Sequence, residues 1–309
     1  MKKDDILSRN DLLTGSLCAL GCEILYGMSY VFTKQAIRGI SELSLLSWRF
    51  ALSFIAMNLL LVLGVIKVDI KAEKLKPLLS ISLFCPVIYF IGETIGINHT
   101  TASESGVFLA CIPVASLMAS SLLLKKKPSG LQITGILITL AGVLVTVFAA
   151  GASPSFSMIG YIFLLLAVFS YALYSVHVDK AAACTGIEIT YMMITAGAVV
   201  FIILAFAEAL AKGNVGRLVS LPFADSGFMI AVIYQGIGCS ILAFFLSNIA
   251  IARIGVNRTS SFVGVSTVVS IIAGGLFLQE RLPLIQIIGA GIIITGVYTA
   301  NAGKIKYTQ

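Results

Sequence analysis

Charged side chains are scarce in this chain of 309 residues: they make up 11% of it, whereas about a quarter is usual in soluble domains. Apolar residues account for 58%, and the mean hydropathy is +1.02. This shortage excludes a soluble globular protein and predicts an all-α integral membrane protein. At about 20 residues per span, ten transmembrane helices are expected, which leaves almost no chain for a soluble domain. They lie near 12–34, 44–66, 77–97, 103–124, 131–151, 157–179, 187–211, 226–250, 257–278 and 284–303.

Residues suited to metal, redox or nucleotide chemistry are also few. The two histidines, His99 and His177, fall at span ends on opposite sides of the membrane, so no metal site is expected. The six cysteines show no CxxC spacing and are interpreted as small packing residues. The glycine-rich positions lack a P-loop lysine, which predicts no nucleotide site and no cofactor. Because no nucleophile stands with a base at one depth, a membrane-embedded enzyme is the less favoured alternative.

The net charge of +7 could suggest a nucleic-acid partner, but the positions of the charges favour another explanation. With a cytoplasmic N-terminus, the inside segments carry fifteen Lys and Arg residues, the outside segments carry five, and Arg49 lies within a span. Such asymmetry is the positive-inside rule for membrane proteins. It predicts a multi-pass protein of the plasma membrane with both termini cytoplasmic and no nucleic-acid partner. The first span is not followed by a small-residue cleavage site, so it is expected to be a retained helix.

The chain contains a duplication. The stretch 103–145 returns without a gap, 154 positions later, as 257–299. A shared Gln and two shared Gly within otherwise apolar segments make this match more than a coincidence of composition. The identical pairs include Phe108/Phe262, Val114/Val268, Ser116/Ser270, Ala119/Ala273, Leu122/Leu276, Leu124/Leu278, Gln132/Gln286, Ile133/Ile287, Gly135/Gly289, Gly142/Gly296 and Val143/Val297.

The duplication predicts two halves, 1–151 and 152–309, each with five spans. Because five is odd, the second half must cross the membrane in the opposite orientation. The leading helices repeat more weakly at a spacing of 145, and their matches include Tyr26/Tyr171. Inverted repeats place a solute site near the bilayer midplane and expose it to each side in turn by rocking one half against the other. A non-transporting receptor or scaffold does not account for this symmetry.

Several motifs resemble one known family. They are Tyr26 to Phe32, Trp48-Arg49-Phe50, Thr101 to Glu104 with Pro113, Arg253 to Thr259, and Leu278 to Arg281 followed by Gln286, Gly289 and Gly296. The chain resembles, over nearly its whole length, the EamA-type members of the drug/metabolite transporter superfamily. The resemblance implies ten helices in two inverted repeats and a central cavity lined by spans one, three, four, six, eight and nine. It also implies transport of small metabolites, commonly amino acids or related compounds and often outward.

The leading candidate for a site residue is Glu23, in the middle of the first span. An ionisable group at bilayer depth is costly and needs a partner, a water-filled cavity or a function. Tyr26 and Tyr30 follow it at helical spacing and share its face, which suits an organic solute. The functional hypothesis is that Glu23 takes up a proton or meets a cationic group of the solute. The alternative is a protonated side chain that hydrogen-bonds a neighbouring helix.

Opposite charges occur at similar depth in spans two and three. Arg49 and Glu93 are expected to form an ion pair, which would act as a gate or as a link between helices. Tyr89 lies one turn below Glu93 and is a further candidate for the solute or proton site. Glu104, which opens span four, is expected to cap its helix.

The second half carries fewer polar candidates. Tyr171, Tyr174 and Gln235 are expected at the site, where a mid-span amide binds solute or bridges helices. Asn248 lies further inward and is a weaker candidate. His177 ends span six and is interpreted as part of a solvated helix end. These patterns together predict a secondary transporter of a small organic solute, coupled to protons or to exchange. The alternative is an importer of a cationic or quaternary-amine solute.

Overall fold

The computed structural model describes residues 8–36, 40–99, 108–148, 157–277 and 284–302. Within these ranges the chain is almost entirely helical and contains no β-strand. Helices suit so apolar a chain because each helix satisfies its own backbone N–H and C=O groups where lipid offers no hydrogen-bond partners. The predicted all-α class is therefore confirmed for the described part of the chain.

The helices are numbered here in chain order. Two π-helical turns, π1 and π2, interrupt longer helices. The elements are α1 (Arg9–Ala36), α2 (Glu42–Val62), α3 (Ala72–Ser82), π1 (Leu83–Ile88), α4 (Tyr89–His99), α5 (Ile112–Leu123), α6 (Gly130–Phe148), α7 (Met158–Lys180), α8 (Gly186–Ala211), α9 (Val215–Ala224), α10 (Ser226–Ile233), π2 (Tyr234–Ala243), α11 (Phe244–Ser261), α12 (Val263–Phe277) and α13 (Leu284–Asn301).

In the described ranges, six helical stretches are long and apolar enough to cross a membrane. They are Arg9–Ser29, Glu42–Val62, Ala72–Gly96, Met158–Lys180, Gly186–Ala211 and Ser226–Ser261. These six coincide with predicted spans. The other four predicted spans correspond to the shorter apolar helices α5, α6, α12 and α13, next to segments outside the described residues. The count of ten spans stays a prediction.

One helix was not predicted. Helix α9 (Val215–Ala224) lies between predicted spans seven and eight, in a segment that the sequence assigns to no span. Gly213, with φ 65°, ends the preceding helix in a conformation that suits glycine. The indole nitrogen of Trp48 in α2 donates a hydrogen bond to Leu218 O at 2.9 Å. That bond holds α9 against the start of α2.

Two spans are interrupted in the middle. In π1, Cys85 has extended backbone angles (φ −139°, ψ 121°) because Pro86 follows it, and a residue before proline is disfavoured in the helical conformation. In π2, the helix widens over Tyr234–Ala243. The positions 154 residues after those of π1 lie within π2, and 154 is the spacing of the duplicated sequence. The two interruptions therefore occupy equivalent places in the two halves. The interruption at π1 is a kink at Cys85, whereas π2 is a wide helical turn of the kind that is frequent at functional sites.

The helices of the first half pack mainly on helices of the second. Helix α1 contacts α11 and α12, while α7, its counterpart, contacts α4 and α5. Helix α2 packs on α8, and α6 packs on α13. If each helix is replaced by its equivalent in the other half, the contacts of α1 with α11 and α12 become those of α7 with α4 and α5. The contacts of α2 with α8 and of α6 with α13 join equivalent helices and are unchanged by the exchange.

The contact between α6 and α13 uses the duplicated glycines. A Cβ atom added to Gly142 would lie 2.9 Å from Gly289 O, and one added to Gly296 would lie 2.7 Å from Gly135 O. Each glycine of one copy therefore faces a glycine of the other, and the two helix backbones come too close for any larger side chain. Small residues at helix interfaces permit this approach in membrane proteins.

Candidate functional site

Glu23 is buried where α1 meets α12. Its side chain is 5% exposed and lies in hydrogen-bonding range of the Ser266 hydroxyl, which itself donates to Val263 O at 2.7 Å. One turn further along α1, a Cβ on Gly27 would lie 2.6 Å from Ser266 O. The absence of a side chain at Gly27 lets α12 approach closely enough for Ser266 to reach the acid. The structure thus places Glu23 between a helix of each half.

Several tyrosine rings lie next to one another in the interior of the helix bundle, beyond Glu23. Tyr26, Tyr89 and Tyr171 pack against the buried core that contains Tyr174. The ring centroids of Tyr89 and Tyr171 are 5.9 Å apart, and those of Tyr171 and Tyr174 are 5.5 Å apart, both in edge-to-face arrangements. Four of the predicted tyrosines therefore form one cluster. Tyr30 belongs to α1, but its side chain lies outside the described residues.

This tyrosine cluster (Tyr26, Tyr89, Tyr171 and Tyr174) draws on the spans that the resemblance named. Helix α5 of span four packs on the rings of Tyr89 and Tyr171 through Ile112 and Ala115. The hydroxyl of Tyr174 donates to Asn248 Oδ1 of α11 at 2.7 Å. Helices α1, α4, α5, α7, α11 and α12 come together around these residues. That a solute enters at this point stays a prediction.

A buried hydrogen-bond chain crosses the second half at this depth. Asn248, which accepts from Tyr174, donates through Nδ2 to Thr190 Oγ1 of α8 at 3.1 Å. All three side chains are at most 2% exposed. The sequence singled out Asn248 but not Thr190, because one threonine in an apolar helix carries no local signal of a cross-helix partner.

The expected ion pair between Arg49 and Glu93 is not formed in this structure. Glu93 Oε1 instead accepts a hydrogen bond from the Tyr89 hydroxyl at 2.9 Å. Arg49 donates from Nε to Ser240 Oγ at 2.6 Å, and its guanidinium carbon lies 4.7 Å from the ring centroid of Phe90. The ion pairs found among the described residues do not include these two. The similar depth of the two residues in their spans predicted that the charges lie close together. It did not predict that the Phe90 ring and the Ser240 hydroxyl hold Arg49.

The remaining candidates lie in different places. Gln235 is buried in π2, 3% exposed, next to Gly236, which packs on Arg49 O. His177 is half-buried at the end of α7, and its Nδ1 lies 2.8 Å from Leu173 O. Glu104, the expected cap, lies outside the described residues.

Three ion pairs join the two halves at one end of the bundle. Lys74 Nζ lies 2.7 Å from Glu188 Oε1, and Lys126 Nζ lies 2.9 Å from both carboxylate oxygens of Asp179. Arg253 pairs with Asp11. Asp11, Lys74 and Glu188 lie where α1, α3 and α8 begin, and Asp179 lies at the end of α7. Lys126 lies between α5 and α6, and Arg253 lies just before Gly255, where α11 is kinked. In each pair, one partner belongs to the first half and the other to the second.

The opposite end is linked differently. The Ser41 hydroxyl, before α2, donates to Glu208 Oε2 at 2.5 Å, and Lys212 pairs with the other oxygen of Glu208 at 2.6 Å. These residues line a cleft of about 260 Å³ together with Arg217 and Asn214. Hydrogen bonds from Ser41 to Glu208 and from Trp48 to Leu218 O join the halves at this end, whereas ion pairs join them at the other. The Lys212–Glu208 pair lies within the second half.

Comparisons with known proteins agree with one another. The model of the EamA-like transporter family matches residues 13–148 and again 158–302. The uncharacterized transporter YcxC of Bacillus subtilis strain 168 is 30% identical over 295 residues, which cover 95% of this chain and 94% of the relative. The probable amino-acid metabolite efflux pump of Escherichia coli strain K12 is 24% identical over 310 residues, covering 94% and 95%.

A solved structure confirms the fold alone. It is described only as "Crystal structure of protein", and it superposes with a TM-score of 0.74 at 17% sequence identity. The superposition covers 93% of this chain and 97% of the other. The arrangement of helices is therefore one that has been seen experimentally.

Proposed function

Because this chain belongs to the EamA-like transporter family, we propose that it is a secondary transporter that carries a small organic metabolite outward across the plasma membrane. An amino acid or a related compound is the proposed solute. A relative with a functional name points the same way, since it is called a probable amino-acid metabolite efflux pump. As a multi-pass membrane protein of a transporter family, the chain has a small solute and the lipid bilayer as its partners.

The proposed mechanism is alternating access by two inverted halves, 1–151 and 152–309. Three observations support it: the family model matches twice, π1 and π2 recur at the duplicated spacing, and the set of helix contacts is preserved when the halves are exchanged. Inverted repeats allow a protein to present one central site to each side in turn. With five spans in each half, both chain ends lie on the same side of the membrane, and the excess of Lys and Arg in the segments on that side assigns it to the cytoplasm.

In that topology, the three cross-half ion pairs lie on the cytoplasmic side. They join Lys74 to Glu188, Lys126 to Asp179, and Asp11 to Arg253, and so they hold the halves together there. Opening toward the cytoplasm requires that these pairs separate, because each one spans the two halves. We assign the structure to a state that is closed on the cytoplasmic side.

The observation that carries the proposed site is the burial of Glu23 beside the tyrosine cluster, at the contact between the halves. A carboxyl group with aromatic rings around it suits an ammonium group, which is attracted both to the charge and to ring faces. The same acid is suited to carry a proton when no cation is bound. Transport is then coupled to protons or to exchange, and no ATP is required.

A binding screen tests this site. Purified protein is melted in the presence of amino acids, polyamines, nucleosides and quaternary amines. A ligand that binds the folded protein raises the melting temperature, and more so the further its concentration exceeds its Kd. We expect stabilisation by amino acids that disappears in Glu23→Gln. Glu73→Gln is the matched control, because Glu73 is exposed at the start of α3.

The outcomes separate the alternatives. Stabilisation by quaternary amines alone would replace the amino-acid solute with a cationic one. Equal stabilisation of wild type and Glu23→Gln by every ligand would refute the role of Glu23 in binding.

A further inference from the structure

Arg49 is a buried cation that the proposed function has not yet used. Its side chain is 6% exposed in α2, within the span Glu42–Val62. Three aromatic rings surround the guanidinium, whose carbon lies 4.7 Å from the centroid of Phe90, 5.3 Å from that of Phe50 and 5.9 Å from that of Phe244. Such contacts hold the plane of an arginine in place, because ring faces attract cations.

The hydrogen bonds of this cation are incomplete. Nε donates to Ser240 Oγ at 2.6 Å, but the buried Nη2 has no hydrogen-bond partner among the described residues. The nearby acid, Glu93, is engaged by Tyr89. A charged donor at this depth that lacks an acceptor costs free energy, whereas an anion placed against it relieves that cost.

Arg49 is connected to the tyrosine cluster through Phe90. The Phe90 ring is in edge-to-face contact with Tyr89 at 5.1 Å, and Tyr89 in turn contacts Tyr171 at 5.9 Å. Cys85, in the interrupted turn π1, interacts electrostatically with both Arg49 and Glu93 and packs in the same core as Tyr174. A cation and the acid Glu23 thus flank one aromatic cluster.

We propose that the guanidinium of Arg49 binds the carboxylate of the solute, so that this transporter selects amino acids over the corresponding amines. The inference rests on the proposed function and adds the residue that determines specificity. Arginine is suited to this role because its planar group presents parallel N–H donors that match the two oxygens of a carboxylate. The ammonium group of the same solute then lies against the tyrosine cluster, whose rings attract cations.

Ligands that differ only at the carboxylate test the proposal on the unmodified protein. Leucine, phenylalanine and lysine are each compared with their amide and with the amine that remains after removal of the carboxylate. Binding to purified protein is measured by calorimetry or by thermal shift. We expect the amide and the amine to bind about 10- to 100-fold more weakly than the acid, which is the usual loss for a hydrogen-bonded charge.

Variants locate the effect. In Arg49→Gln, the acid is expected to bind as weakly as its amine, while the affinity for the amine is unchanged. Arg49→Lys keeps the charge but not the planar donors, so it should recover part of the difference. Arg9→Gln removes a positive charge from an exposed position at the start of α1 and should preserve the full preference for the acid.

Other results would overturn the inference. Arg49 does not bind the carboxylate if amides and amines bind the wild-type protein as tightly as acids do. The same conclusion follows if Arg49→Gln lowers the affinity for acids and for amines equally. In both cases the transporter itself is unaffected, because solutes still bind. If no member of the series binds or is transported, the proposed amino-acid solute fails, and the role of Arg49 fails with it.

Discussion

At the scale of single residues, buried polar side chains are paired across helices. Tyr174, Asn248 and Thr190 join α7, α11 and α8 in one hydrogen-bond chain, with donor–acceptor distances of 2.7 and 3.1 Å. Lipid offers no hydrogen-bond partner at this depth, so each member of the chain depends on the others. The hydrogen bonds among Tyr174, Asn248 and Thr190 therefore stabilise the second half around the proposed site.

Removing one hydroxyl tests this dependence. Tyr174→Phe leaves Asn248 Oδ1 without its donor and should cost about 1 kcal/mol of stability. Thermal unfolding of purified protein measures the loss. Tyr298→Phe is the matched control, because Tyr298 is 76% exposed and should unfold like wild type. A melting temperature for Tyr174→Phe equal to that of Tyr298→Phe would show that the chain contributes nothing.

The sequence predicted part of the candidate site. Glu23 and Tyr26 were identifiable because polar groups are conspicuous in an apolar helix, and the structure does bring them close to the Tyr171 region. The interactions of Arg49 were not predictable. The sequence shows that Arg49 and Glu93 carry opposite charges at similar depth. The groups that contact Arg49, however, are the rings of Phe90 and Phe244 and the Ser240 hydroxyl, which come from distant parts of the chain. Small hydroxyl residues such as Ser240 give no signal in the sequence.

At the scale of helices, close packing depends on glycines that the duplication had already marked. Helices α6 and α13 touch through Gly135, Gly142, Gly289 and Gly296. A Cβ atom at Gly296 would overlap the backbone of Gly135 and Thr139, whereas one at Gly291 meets no atom within 4 Å. Two glycines of the same helix thus predict opposite responses to the same substitution.

Gly296→Ala should destabilise the protein by about 1–3 kcal/mol, because an overpacked interface forces the backbones apart. That corresponds to a fall of about 2–5 °C in the melting temperature for a chain of this length. Gly291→Ala should be neutral or slightly stabilising, since alanine favours helix more than glycine does. If Gly296→Ala and Gly291→Ala have the same melting temperature, the contact between α6 and α13 is not as close as in the structure.

Helix positions were largely predictable, but their irregularities were not. Apolar segments of about 20 residues marked the six long spans. The turn at π1 follows from Pro86 once the span is known, whereas π2 contains no proline and its wide turn depends on packing against α1 and α2. Helix α9 was missed because its ten residues are too few for a span.

At the scale of the whole molecule, the two ends of the bundle differ. Three ion pairs between the halves hold the end where α1 begins, and the most buried of them joins Lys74 to Glu188, whose side chains are 15% and 4% exposed. Glu188 also forms a capping box with Thr185 at the start of α8. This carboxylate therefore ties a helix of the first half to the first turn of a helix in the second.

Lys74→Gln should lower the melting temperature by several degrees, because it leaves the buried Glu188 carboxylate without its cation. Lys76→Gln removes a lysine from an exposed position two residues further along α3 and should have little effect. The double variant Lys74→Gln, Glu188→Gln should regain part of the loss, since neither partner is then charged. If Lys74→Gln melts like Lys76→Gln, the pair does not hold the halves together.

Counterflow in proteoliposomes tests the transport function most directly. Vesicles that contain the purified protein are loaded with an unlabelled amino acid, and uptake of a trace of the same labelled amino acid is followed with and without a proton gradient. We expect saturable accumulation with the wild-type protein and none with Glu23→Gln. Uptake no greater than in protein-free vesicles, for amino acids and for cationic amines alike, would contradict a role in solute transport.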